Sequence, residues 1–172
     1  MRTRPDSRGF TLVEILVVMA VIAILAAVSV PLLLDAQMAG REASAISSLR
    51  TIHSAQEAFR VACGDGKRFA STLPQLGAAG TITKDLSDAP IVMKSGYLIN
   101  MVGAEPGDKD RCTGEATVPH WYASAVPQTP GRTGKRAFAT ASGEDIWTDT
   151  TGIAPPEPFK AAETISRLEN GK

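Results

Sequence analysis

The chain has 172 residues, with 18 Lys plus Arg against 18 Asp plus Glu, and only 5% aromatic residues. A balanced charge excludes a global field that would draw the whole chain to nucleic acid or to acidic substrates. Two cysteines, Cys63 and Cys112, are too few and too widely spaced for a zinc ribbon or a redox Cys-x-x-Cys pair.

The apolar residues are concentrated between Phe10 and Leu34. Residues 1–9, MRTRPDSRG, are basic and contain no apolar run. Residues 15–34 follow with twenty uncharged positions, enough for a helix to span a hydrocarbon core of about 30 Å. Cationic residues before the span, and none directly after it, put the N-terminus in the cytoplasm and the remainder outside. A cleaved secretory signal is the competing reading, with "ILAAVSVP" as its cleavage region. Against it, the run is long for a signal core and the pattern after it stays helical.

Glu14 stands at the head of this run. A carboxylate carried to the bilayer centre costs about 2.5–3.5 kcal/mol, so its presence needs either an escape to the headgroups or a cationic partner. The stretch "RGFTLVEILVVMAVIAILAAVSVP" resembles the N-terminus of type IV pilins and of the related pseudopilins of type II secretion. Gly9, Phe10, Thr11, Leu12, Glu14, the apolar run and Pro31 carry that resemblance. It implies that a prepilin peptidase cuts between Gly9 and Phe10 and methylates the new amine on Phe10. It further implies that Glu14 pairs with such an amine, in its own chain or a neighbour's, and so sets the register between packed helices. The implied partners are further copies of the chain, the peptidase-methyltransferase, the membrane, and an inner-membrane pilus or secretion machinery. Neither a cofactor nor catalytic residues are implied.

Pro31 removes one helix hydrogen bond, so a kink or local melting is expected over residues 27–31. Beyond it, Met38, Ile46, Leu49, Ile52, Ala55 and Phe59 recur at helical spacing, with Arg41, Glu42, Ser47, Ser48, Arg50 and Glu57 mostly between them. One long helix is expected from about Phe10 to Ala62: apolar all round at first, then carrying a single apolar stripe. Gly64 and Gly66 in "CGDGKR" stop it. "STLPQLG" suits one helical turn. Strand-like runs follow in "IVMKSGYLINMV", "TVPHWYASAV", "KRAFATA" and "DIWTDT", with a hairpin turn at Gly143-Glu144.

Three or four antiparallel strands over the apolar stripe make the expected fold class α+β. The expected core is Ile46, Leu49, Ile52, Phe59, Leu98, Trp121, Phe138 and Trp147. "KSGY", "ASAVPQTPGRTGKRAF" and "GEDIW" also resemble the globular region of some bacterial pilin-like proteins. The expected divisions are a leader 1–9, an apolar helical half 10–34, an amphipathic half 35–62, a head 63–153 and a tail 154–172. The tail reads as a proline-rich linker and a short amphipathic helix, either docked or free. In the non-cytoplasmic setting Cys63 and Cys112 suit a disulfide closing about fifty residues; two free thiols are the alternative. A metal site adding His53 and His120 finds no support in the spacing. "GRTGKR" lacks the glycine and the Ser or Thr of a phosphate loop. Its cations Arg132, Lys135 and Arg136 suit a solvated turn, with contact to DNA or to an acidic neighbour as the weaker reading.

Overall fold

The structure, a computed structural model, describes residues 10–168. The leader 1–9, including Gly9, and residues 169–172 lie outside the described residues. The chain divides into two compact units between Gln37 and Met38.

Helix α1 covers Leu12–Ala62 with Pro31 inside it. Residues 27–31 remain helical, so the expected local melting does not occur. Proline withdraws one donor, and the apolar helix formers on both sides keep the helix continuous. At the other end the N–H groups of Cys63 and Gly64 both donate to the Phe59 carbonyl, at 2.8 and 3.0 Å. Asp65 and Gly66 then turn the chain out of the helix with positive φ.

In the second unit, α1 buries Met38, Ala45, Leu49, Ile52, Ala55 and Phe59 along one stripe. Glu42, Ser48 and Gln56 lie on this stripe too and are buried, so the placing of Glu42 and Ser48 between the apolar positions is corrected. Strand β1 (Phe69–Ala70) and helix α2 (Leu73–Ala78) follow, with the Thr72 side chain capping α2 by accepting from the Gln75 N–H. Gln56 is completely buried and holds β1 to α1: it donates to the Ala70 carbonyl at 2.8 Å and accepts from the Ala70 N–H at 2.9 Å.

The remaining strands are β2 (Ile91–Lys94), β3 (Tyr97–Ala104), β4 (Thr117–Val118), β5 (His120–Pro127), β6 (Ala137–Ala141), β7 (Trp147–Asp149) and β8 (Ile165–Arg167). β4 pairs with β1; the others form one antiparallel sheet in the order β2-β3-β5-β6-β7-β8. Six strands replace the three or four expected. One reason is that "IVMKSGYLINMV" is two strands, folded at Ser95-Gly96 with φ of 51° and 79°. Positive φ at both central residues is what a tight hairpin matching the sheet twist demands. The other reason is that the tail adds β8 as an edge strand rather than forming a helix.

The core lies between the α1 stripe and one sheet face. Leu49, Ile52, Phe59, Tyr97, Ile99, Trp121 and Phe138 are buried there. Leu98 is not among them: it is 39% exposed, because alternation sends Tyr97, Ile99 and Met101 inward and Leu98 outward. Ile46 and Trp147 are half-buried; Ile46 packs at the core margin. Trp147 lies on the outer sheet face, stacked with Phe159 at 5.7 Å between centroids. Tyr122 also faces outward, lies 6.1 Å from Phe159 and donates to the Pro155 carbonyl at 2.8 Å. The proline-rich tail is thus strapped across β5 to β7.

Cys63 and Cys112 are disulfide-bonded, with Cα atoms 5.4 Å apart at a sequence separation of 49. Closing such a loop stabilises by about 4 kcal/mol in the chain-entropy account. The bridge therefore fastens the end of α1 to the loop before β4, where the short two-stranded sheet offers little cohesion of its own.

Candidate assembly segment

The described part of the N-terminal unit is built mostly of exposed apolar side chains. Phe10 is 79% exposed, and every large apolar residue from Leu12 to Leu34 is exposed. Its most apolar 18-residue window has a mean hydropathy of 2.9, long and apolar enough to cross a membrane. Burying a side chain of this size is worth about 1.5–3 kcal/mol. The segment therefore gains strongly from lipid or from other apolar helices, whichever covers it.

Its start is shaped by Thr11 and Glu14. The Thr11 hydroxyl accepts from the Glu14 N–H at 3.2 Å, and the Thr11 carbonyl from the Ile15 N–H at 3.4 Å. The first turn is thereby capped, and it places a carboxylate at the positive end of the helix dipole. Phe10 and Glu14 are four positions apart, about one turn, so an amine created on Phe10 would stand near that carboxylate's end of the helix. Pro31 lies near the far end of the same apolar stretch. Gly9, the other half of the expected cleavage pair, is outside the described residues.

In the second unit the polar side chains are committed to holding the fold. Glu42, only 7% exposed, accepts from the Lys135 and Arg136 main-chain N–H groups at 2.9 and 3.2 Å, and from Arg136 Nε and Nη2 at 2.9 and 2.8 Å. Burial raises the Glu42 pKa, but the Lys135 N–H and the side chain, N–H and charge of Arg136 outweigh it, leaving a net lowering. Arg41 donates to the Arg132 carbonyl at 3.1 Å. The basic loop is consequently clasped to α1 by its main chain, and Arg136 is spent on Glu42. Gly134 belongs to this clasp: a Cβ there would overlap the Tyr97 hydroxyl, which donates to the Arg136 carbonyl at 2.8 Å.

Asp110 organises the disulfide loop. It accepts from the Cys112 N–H at 2.7 Å, the Gln75 side-chain amide at 2.7 Å, and the Thr113 N–H and hydroxyl. Burial opposes its ionisation, yet these donors, the Thr113 hydroxyl foremost, lower its pKa to about 2. The sequence singles out neither Glu42 nor Asp110 as a site: the Glu42 donors return from more than ninety positions away, and the Asp110 donors are a local turn at Cys112 and Thr113 plus the distant Gln75.

The histidines are separated by these packings. The His53 ring meets Trp121 edge-on at 5.7 Å, whereas His120 bonds Ser142 through Nδ1 and Glu157 through Nε2, the latter at 2.8 Å. The cysteines are bonded to each other. Among the described residues no cluster of three His, Cys, Asp or Glu side chains forms.

Comparison with known proteins bears on the first unit. Residues 4–30 match the family described as the prokaryotic N-terminal methylation motif. The chain is also 38% identical over 58 residues to the type IV major pilin protein PilA of Myxococcus xanthus (strain DK1622). This N-terminus is thus similar to that of type IV pilin-family proteins. The motif with its apolar helix fits a membrane-anchored precursor. The aligned stretch covers 34% of this chain and about a quarter, 26%, of that relative. No solved structure gives a significant match.

Proposed function

We propose that this chain is a prepilin, cut between Gly9 and Phe10, methylated on Phe10, and polymerised through its N-terminal helices into a type IV pilus. The match of residues 4–30 to the methylation motif carries the reading. Cleavage removes Arg2, Arg4, Arg8 and Asp6, so the formal balance moves from zero to −2 (three positive charges and one negative lost). The segment kept afterwards is the uncovered apolar helix, held in the inner membrane with its N-terminus cytoplasmic until assembly buries it among other copies. Apolar contact supplies the cohesion, and Glu14 supplies register, because a carboxylate without an amine partner in a dry interface disfavours every wrong axial offset. Methylation keeps the amine cationic, so the pairing survives it. Pro31 adapts the helix inside the bundle. The similarity to a major pilin favours a pilus over the secretion pseudopilus, which shares the same N-terminal chemistry.

N-terminal sequencing with intact mass of the purified subunit tests the processing: the chain is expected to begin at N-methylated Phe10. Replacing Gly9 by a larger residue leaves the precursor uncut. Glu14→Ala inserts in the membrane as before but yields at least tenfold less filament. A mature protein that begins at Met1, or beyond the apolar run, refutes processing; normal filaments from Glu14→Ala refute the register role.

A further inference from the structure

The outer face of the six-stranded sheet is finished on one side only. Residues paired across antiparallel strands share a face, so Tyr122 and Ala141, Ser124 and Ala139, and Ala139 and Trp147 all point outward. The tail covers this half: Phe159 lies on Tyr122 and Trp147, and Ala139 and Ala141 are fully buried beneath the strap. Over β2 and β3 the same face carries exposed apolar side chains. Met93 is paired with Leu98, and Ile91 and Val102 lie on the same side. Their exposures are 62%, 39%, 56% and 49%, with half-buried Val126 beside Leu98.

We propose that this Ile91–Met93–Leu98–Val102 strip is where the globular unit of one copy rests on that of a neighbouring copy in the filament. The inference depends on the assembly reading above and names a contact that reading leaves open. Size argues for a second copy. Four partly exposed side chains offer roughly a few hundred Å², well below the ~800 Å² per partner of a stable complex between free proteins. Such a patch does not hold two free chains together. It is sufficient once the N-terminal helices have already joined them, because tethered surfaces meet at effective concentrations of about millimolar.

Charge agrees. The outward residues Ile91, Met93, Leu98, Asn100 and Val102 are all uncharged, and Lys94, paired with Tyr97 on the other face, is held by Asp85 at 2.7 Å, so the strip itself carries no charge to repel an identical molecule. A helical filament makes head-to-tail contacts, so the strip meets a different surface of the neighbour rather than itself.

The test uses full-length protein. Met93→Glu and Leu98→Glu are made singly, and p-benzoylphenylalanine is placed at position 93 in a third variant. In detergent all three are expected to remain folded, with the melting curve of the wild type. On cells, each Glu variant is expected to yield at least tenfold less sheared filament. Irradiated filaments carrying the photoprobe are expected to give covalent multiples of the chain mass.

Wild-type filaments together with Glu variants of undiminished yield overturn the strip while leaving assembly intact. So does a photoproduct with lipid or with an unrelated protein. If the wild-type chain forms no filament at all, the assembly reading fails first and the strip fails with it.

Discussion

Replacing Glu42 by Ala removes the acceptor for two main-chain N–H groups and for both donating nitrogens of Arg136. Unpaired donors in a buried setting cost about 1–3 kcal/mol each, more where charge is involved. Two features reduce the total: the Arg136 side chain is 40% exposed and can turn to water, and alanine is the better helix former. The expected loss is about 3 kcal/mol, which lowers the melting temperature of a unit this size by about 10 °C. Near-UV circular dichroism of the full-length chain in detergent reads it through Trp121 and Tyr97, both buried in that unit. Arg136→Ala and the double variant close a thermodynamic cycle, whose coupling is expected to be about 1–2 kcal/mol. A melting temperature for Glu42→Ala within 2 °C of wild type, or a coupling of zero, would refute the claim that this carboxylate clasps the basic loop to α1.

Two further outcomes follow from the same polar and aromatic fastenings. Asp110 titrates near 2 in the folded chain against an ordinary 3.8, so its stabilisation is complete above pH 4 and is lost as pH falls from 4 towards 2. The loss is about 2 kcal/mol; acid titration of stability should show it, and Asp110→Asn should remove that part of the dependence. Because Glu42 is also lowered, some acid sensitivity persists in that variant. Phe159→Ala withdraws the ring between Tyr122 and Trp147, at a cost of about 2 kcal/mol for a half-buried aromatic. Limited trypsin digestion should then cut at Lys160 well before it does in the wild type, and a tail equally resistant in both would exclude the strap.

The glutamate clasp also explains how much of the head escaped a reading of the chain. Glu42 looks, at its place in the helix, like a solvated residue between apolar positions; only the return of residues 135 and 136 to that point gives it donors. Leu98 stands among the core residues expected from sequence, yet the hairpin turn at Ser95-Gly96 fixes the alternation that sends it outward. Residues 165–167 are short and mixed in polarity, and such a segment is helix or strand according to what lies beside it. The β7 edge decides for strand.

What the sequence determined by itself is the part whose physics is local or solvent-driven. The uncharged run after Glu14 selects an apolar environment whatever else the chain does. The 3.6-residue period from Met38 to Phe59 makes a one-sided helix, and Gly64 and Gly66 end it. Two cysteines beyond the apolar run left a disulfide or two free thiols open, and the fold joins Cys63 to Cys112. Tertiary structure alone decided strand register, the face each strand residue presents, the partners of Glu42, the Gln75 contact of Asp110, and the tail's place on the sheet. Each of these depends on contacts between residues tens of positions apart, for which the chain carries no periodic signal and which exist only once loop closure has been offset by burial.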